Sequence, residues 1–124
     1  MNIKCTSIYA GADGDSHFRD IEFELKSMLI APQAPPVGVS DPIPAGSCFF
    51  MVAPPGLENT WHPAPRRQFL FCLSGQFEIL TSDGEKRSFA PGDILLAEDM
   101  GSKGHITRIV GSVENRCAVV ALPG

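Results

Sequence analysis

The sequence lacks three features that would each indicate a class of function. Its 10 lysine and arginine residues are outnumbered by 14 acidic ones and form no stripe, so the dense basic face needed for nucleic-acid binding is missing. No apolar stretch approaches the roughly 18 residues of a membrane span. The N-terminus has no basic region followed by an apolar one, so no secretory signal is predicted. We therefore expect a cytoplasmic protein with neither nucleic-acid nor membrane partners.

Cysteine pairs of the C-x-x-C type are also absent, although the chain has four cysteines. This absence disfavours a zinc knuckle or a thioredoxin-like site. Cys48, Cys72 and Cys117 lie in apolar runs, where a thiol usually packs as a small buried hydrophobe. A structural disulfide is the alternative.

Glycine and proline, in contrast, are plentiful, with 12 and 11 residues spread at short intervals. Such spacing is typical of turns between short strands and is poorly tolerated by long helices. The continuous apolar run at residues 47–53 predicts a core strand, and five prolines predict an extended wrap over residues 31–44. The predicted strands cover residues 3–9, 21–26, 47–53, 68–73, 76–80, 86–89, 94–97, 105–110 and 117–122. This pattern predicts an all-β sandwich or closed barrel.

One set of residues in the middle of the chain has a distinctive spacing. Gly56 is followed after five residues by His62, and Ala64, Gln68 and Gly75 come at fixed intervals behind it. This spacing resembles the first motif of the cupin superfamily, G-x5-H-x-H-x3,4-E-x6-G. Ala64 stands in place of the second histidine and Gln68 in place of the glutamate.

A second stretch resembles the other cupin motif, G-x5-P-x-G-x2-H-x3-N. The Pro-Gly-Asp turn at residues 91–93 matches its usual opening, and His105 corresponds to its histidine. Glu98 replaces the proline, Ile109 replaces the asparagine, and the loop to His105 is two residues longer than the pattern. The resemblance extends over residues 56–109.

The resemblance implies an all-β, cupin-type jelly-roll β-barrel in one domain. We expect this domain to cover residues 1–124, with N-terminal strands and the proline-rich wrap in 1–46 and the barrel core in 47–122. Cupins often dimerise, so a homodimer is also expected.

The resemblance also implies a metal site, because cupin metalloenzymes usually direct three imidazoles and one carboxylate into the barrel. Here the ligand set is reduced to His62, Gln68 and His105. A divalent ion (Fe, Mn, Ni or Zn) would bind weakly to such a set, and the alternative is a barrel that binds no metal. Glu98 and Asp99 are the nearest carboxylates that could compensate.

For a bound small molecule, the predicted catalytic residues are His62 and His105, since histidine titrates near neutral pH. The predicted substrate-binding residues are Gln68, Arg66 and Trp61. On a period-2 strand that starts at His62, both Arg66 and Gln68 share its face, and an inward arginine would clamp a carboxylate or phosphate.

The alternative interpretation of the arginines near this motif, Arg66, Arg67 and Arg108, is an ion pair with Glu78, Glu98 or Asp99. His17, in a polar stretch, is predicted to be a surface residue.

Three functions remain open from the sequence. The first is an isomerase, lyase or cyclase type of enzyme that acts on a small organic molecule in the cavity, and the second is a non-catalytic binding module without metal. The third is an interaction protein that acts through its dimer surface. Cupins support many activities, so the fold alone does not decide among them.

Overall fold

The computed structural model describes all residues, 1–124, and it is built from strands and turns without a helix. No segment therefore meets the length and hydropathy that a membrane-crossing helix requires. The strands are β1 (Asn2–Ala10), β2 (Ser16–Glu24), β3 (Lys26–Met28), β4 (Val37–Val39), β5 (Ser47–Ala53), β6 (Gln68–Ser74), β7 (Gln76–Thr81), β8 (Lys86–Phe89), β9 (Ile94–Glu98), β10 (His105–Val110) and β11 (Asn115–Ala121).

The strands form two main sheets and a small ribbon. The larger sheet has six strands in the order β2-β1-β9-β6-β11-β5, and the smaller has three in the order β10-β7-β8. β3 and β4 pair as a separate two-stranded ribbon. β1 runs parallel to β9, whereas all other paired strands are antiparallel. Apart from β1 and β2, neighbours in the large sheet are thus far apart in sequence, as in a jelly roll.

The main hydrophobic core lies between the two sheets. It takes side chains from both of them, including Ile8, Leu95 and Cys117 of the large sheet and Phe77 and Ile79 of the small one. A second cluster contains Cys5, Phe69, Leu96 and Leu122. Because Leu95 and Leu96 are consecutive in one strand, they point to opposite faces, so the second cluster lies on the outer face of the large sheet.

Each predicted strand overlaps a strand of the structure, but the environment predicted for residues 47–53 is wrong. β5 is the edge strand of the large sheet, and its residues are exposed except for Ala53, which is half-buried. The run is apolar on both faces because one face lines a cavity and the other faces outward. An apolar run of this length does not distinguish a core strand from such an edge strand.

Two smaller predictions also need correction. Residues 31–44 are mostly irregular as expected, but they contain the short strand β4. Cys72 and Cys117 are buried as predicted, whereas Cys48 is exposed on β5. All four cysteines are free thiols.

The two sheets are not closed into a barrel, contrary to the expectation from the motifs. The chain between β5 and β6 passes beside β10 and is hydrogen-bonded to it, but as isolated bridges, Glu58 with Arg108 and His62 with His105, and not as a strand. Pro63 and Pro65 follow His62 and have no N–H to donate, so the pairing does not extend beyond His62. The assignment of residues 1–124 to a single domain stays a prediction.

Candidate functional site

A cavity of about 730 Å³ lies between the two sheets. Of the 22 residues that line it, 13 are hydrophobic, and none is an aspartate or glutamate. Its size lies within the usual range for sites that bind small molecules. The polar lining residues that the sequence motifs predicted are His62, His105, Arg66 and Gln68.

His62 and His105 lie side by side in the wall of this cavity. Their backbones form an antiparallel bridge, with N–O distances of 3.2 Å and 3.0 Å, and their ring centroids are 5.0 Å apart. The bridge depends on Gly104, which has a φ of +89° and lies so close that a Cβ there would be 2.4 Å from the carbonyl carbon of His62. The structure thus brings together the two histidines that the motifs predicted to converge.

The side chain of Asp99 is the hydrogen-bond partner of the His105 ring. The Nδ1 atom of His105 is 2.7 Å from the Oδ2 atom of Asp99, and both side chains are buried. The other carboxylate oxygen of Asp99 accepts the backbone N–H of Ala64 at 2.8 Å. Because a carboxylate only accepts, Nδ1 of His105 carries the hydrogen, and Nε2 is the ring nitrogen left for a ligand.

Asp99 is an anion at neutral pH. Burial acts to raise its pKa, but the hydrogen bond and charge of His105 and the N–H of Ala64 outweigh this effect and hold the pKa below its usual range. The buried carboxylate therefore both fixes the orientation of the His105 ring and stabilises a positive charge on it.

His62 is oriented in a similar way, by a backbone carbonyl. Its Nδ1 atom lies 2.7 Å from the carbonyl oxygen of Thr60, which also only accepts, so Nδ1 is the donor and Nε2 is free. No buried side-chain nitrogen or oxygen in the chain lacks a partner. Since Nε2 of the buried His105 has no protein partner, this atom must be reached from the cavity.

The remaining predicted substrate-binding residues are only partly at the cavity. Arg66 and Gln68 line it, and Nη1 of Arg66 donates to Oε1 of Gln68 at 3.1 Å. The strand predicted from His62 through Arg66 is wrong, because β6 begins only at Gln68. Trp61 is not a lining residue, and 48% of its surface is exposed.

The ion-pair interpretation is correct for two arginines next to the motifs. Arg67 pairs with Glu98 through Nε at 3.1 Å, and Arg108 pairs with Glu78. Glu98 also accepts hydrogen bonds from Ser7 and Arg19 on the outer side of the large sheet. Glu98 therefore has a structural role away from the cavity.

His17 lies outside the cavity and is only partly exposed. Its Nε2 atom is 2.9 Å from both carboxylate oxygens of Asp13, and its Nδ1 atom is 2.9 Å from Oδ2 of Asp83. Both ring nitrogens thus face groups that only accept, which requires an imidazolium. His17 lies at the surface as predicted, but no pattern in the sequence indicated these two partners.

The donor atoms in the cavity do not fit the divalent metal implied by the cupin motifs. No group of three or more histidine, cysteine and acidic side chains in the chain could hold a metal ion. The oxygen of Gln68 accepts a hydrogen bond from a guanidinium, and a cation at that position disfavours a second one nearby. Asp99 is committed to His105 and Ala64. The metal predicted on His62, Gln68 and His105 stays a prediction without a matching ligand set.

Cys117 is the one cysteine in the cavity wall, and it is not a plausible nucleophile. Burial raises the pKa of its thiol to about 11, so the thiol stays protonated at neutral pH. The histidine pair with Asp99 is thus the main reactive group of the cavity. From the sequence, Asp99 was predicted as a compensating metal ligand or as an ion-pair partner of an arginine, and its position six residues before His105 is the signal that could have identified it as the partner of that ring.

No protein-family model matches the sequence, and no curated protein sequence matches it. Solved structures, in contrast, share the fold. A Cupin 2 conserved barrel domain protein from Salinispora arenicola CNS-205 superposes with a TM-score of 0.53 at 17% identity, over 82% of this chain and 76% of that one. The Cnp3 cupin domain of Schizosaccharomyces pombe superposes with a TM-score of 0.52 at 12% identity, over 98% and 88%.

The DMSP lyase DddQ from Ruegeria pomeroyi DSS-3 is also similar, with a TM-score of 0.54 at 22% identity. The match covers 81% of this chain but only 47% of the lyase. At these identities the likeness concerns the fold and not the activity. The chain therefore has the cupin fold, an all-β jelly roll whose sheets are not closed into a barrel.

Proposed function

We propose that this chain binds a small organic molecule in the cavity between its sheets and moves a proton on it, with His62 and His105 as the acid–base pair. One observation supports this proposal above all others. Each imidazole donates its Nδ1–H to a partner that only accepts, so each has its Nε2 atom left for a ligand. Two such nitrogens at the polar part of an apolar cavity are suited to recognise a ligand and to exchange protons with it.

In the proposed reaction, Nε2 of His105 accepts a proton from the bound molecule. Asp99 stabilises the imidazolium that forms, because the carboxylate is 2.7 Å from Nδ1 and carries a negative charge. This proton then passes to the Nε2 atom of His62, whose ring lies beside that of His105, and His62 delivers it to a neighbouring atom of the same molecule, so that both rings end as they began. Such a transfer corresponds to isomerase or lyase chemistry.

The test begins with protein purified without a histidine tag. Small molecules released on denaturation are identified by mass spectrometry, and the most abundant one is returned to fresh protein in heavy water. We expect solvent deuterium to enter the bound molecule, and we expect His105→Gln to slow this exchange about a hundredfold or more. Thr107→Val, which removes a hydroxyl from the same cavity wall two residues beyond His105, serves as the control.

The other outcomes identify the alternatives. A molecule that binds but takes up no deuterium would support the non-catalytic binding module. Stoichiometric divalent metal in the wild type that is lost in both His62→Ala and His105→Ala would replace acid–base chemistry with a metal centre. Absence of any ligand, both in the purified protein and in a thermal-shift screen of metabolites, would refute binding in the cavity.

The proposed macromolecular partner is a second copy of this chain, bound through the outer side of β5. This edge strand carries no charged residue, whereas exposed edges are usually protected by charge or proline. Phe50 is 76% exposed, and it lies beside Ala118 of β11 on the outer face of the large sheet. Two identical uncharged edges can pair without repulsion. The cytoplasm, where thiols stay reduced, remains the proposed location, and the four free cysteines support it.

A further inference from the structure

Arg66 differs from every other arginine in the chain because it has no acidic partner. Of the six arginines, the other five each lie within 4.0 Å of a carboxylate. Acidic residues outnumber basic ones in this chain, which has a net charge of −4, so partners are not scarce. The guanidinium of Arg66 makes one side-chain hydrogen bond, to Oε1 of Gln68, and its other N–H groups are available.

The surroundings of Arg66 strengthen this observation. Among the residues that line the cavity, Arg66 is the one with a permanent charge, and no acidic residue is present to neutralise it. Arg66 is exposed to solvent at this cavity, and a guanidinium without an acidic partner attracts an anion there, its planar fork matching the two oxygens of a carboxylate. Gln68 adds a donor, because its Oε1 is engaged by Arg66 while its Nε2 is not.

We infer that the ligand of the cavity is a small monocarboxylate with an apolar body, an inference that rests on the proposed function. Its carboxylate binds Arg66 and the amide nitrogen of Gln68, and its body lies against the hydrophobic walls. The atom that exchanges a proton then lies near His62 and His105, in the same cavity. A phosphate dianion fits less well, because one guanidinium would face two negative charges among mostly hydrophobic residues.

The experiment compares probes that differ only in their head group. Hexanoate, hexan-1-ol, hexylamine and hexyl phosphate are titrated into the full-length protein by calorimetry. Wild type, Arg66→Gln and Arg67→Gln are compared. Arg67→Gln is the matched control, since Arg67 is adjacent in sequence but pairs with Glu98 and does not line the cavity.

We expect wild type and Arg67→Gln to bind hexanoate about tenfold more tightly than hexan-1-ol, and Arg66→Gln to lose this preference. Equal binding of hexanoate and hexan-1-ol by wild type would overturn the inference while leaving cavity binding intact. A preference for hexyl phosphate or hexylamine would likewise overturn the carboxylate assignment. If no probe binds the wild type, the inference fails, whereas the proposed function is judged separately by its own ligand and deuterium measurements.

Discussion

Asp99 carries two hydrogen bonds that only a carboxylate can accept together. One oxygen takes the N–H of Ala64 at 2.8 Å and the other takes Nδ1–H of His105 at 2.7 Å. In Asp99→Asn, one of these donors would meet an amide NH2 group. We expect this variant to lose about 1–3 kcal/mol of unfolding free energy in urea at neutral pH, because a buried donor is left unsatisfied.

A second measurement separates a positioning role from simple stability. Nitrogen NMR of labelled histidine should show Nδ1–H as the dominant tautomer of His105 in wild type and a mixture in Asp99→Asn. Asp41→Asn serves as the control, since the Asp41 side chain is 84% exposed, and its stability should change by less than about 0.5 kcal/mol. An unchanged His105 tautomer in Asp99→Asn would show that Asp99 does not orient the ring.

At the scale of single residues, the sequence indicated the two histidines but not the groups that orient their rings. The spacing around His62 and His105 was sufficient to predict a shared cavity, because fixed intervals between motif residues fix their place in the fold. Glu98 and Asp99 are consecutive, and only the structure shows that Glu98 turns outward to Arg67 while Asp99 turns inward to His105. The irregular loop after β9 has no periodicity from which this could be derived.

Among the elements, β5 provides the clearest test of association. If a second copy covers its outer side, Phe50 is buried in the dimer. A charge at this position would then be desolvated without a partner, so we expect Phe50→Glu to weaken the dimer roughly a hundredfold or more. Multi-angle light scattering at matched concentrations should give a dimer for wild type and a monomer for the variant.

Val113→Glu is the matched control, because Val113 is 58% exposed but lies in the turn before β11 and not on β5. It should remain dimeric. A wild-type protein that stays monomeric at high concentration would disprove the association, and so would a Phe50→Glu variant that dimerises as well as wild type.

β5 also shows what a sequence pattern leaves undecided at the level of elements. Strand positions were predicted well, because alternating or continuous apolar runs between turn residues are local signals. Whether a strand lies inside or at an edge depends on its neighbours, and β5 pairs only with β11, whose position in the chain is more than sixty residues away. The proline-rich stretch likewise contains β4, which its composition alone did not predict.

For the molecule as a whole, His17 links the two sheets. It lies on β2 of the large sheet, close to the turn that carries Asp13, and Asp83 belongs to the hairpin between β7 and β8 of the small sheet. The ring also stacks on Tyr9, with the centroids 5.6 Å apart. Nearby, Asp15 pairs with Lys103 and accepts a hydrogen bond from Ser82, so its charge is partly compensated.

The pH dependence of this link follows from the direction in which the pKa of each group is shifted. The hydrogen bond to Asp13 raises the pKa of His17 above its usual value of about 6.5, and the charges of Asp13 and Asp83 act in the same direction. The hydrogen bond from His17 lowers the pKa of Asp13, and in Asp83 hydrogen bonds from Thr81 and the Glu85 backbone outweigh the effect of burial and lower it too. The link is therefore strongest when the imidazole is charged and both carboxylates are ionised.

We therefore expect His17 to stabilise the fold most between about pH 4 and pH 6.5. Above that range the contribution declines as the pH passes through the raised pKa of His17, because the folded protein then loses the proton it had retained. Below it the contribution declines as Asp13 and Asp83 become protonated. Urea midpoints of wild type and His17→Gln should differ clearly near pH 5.5 and converge near pH 9. An equal difference at both pH values would mean that the ring acts through packing on Tyr9 and not through its charge.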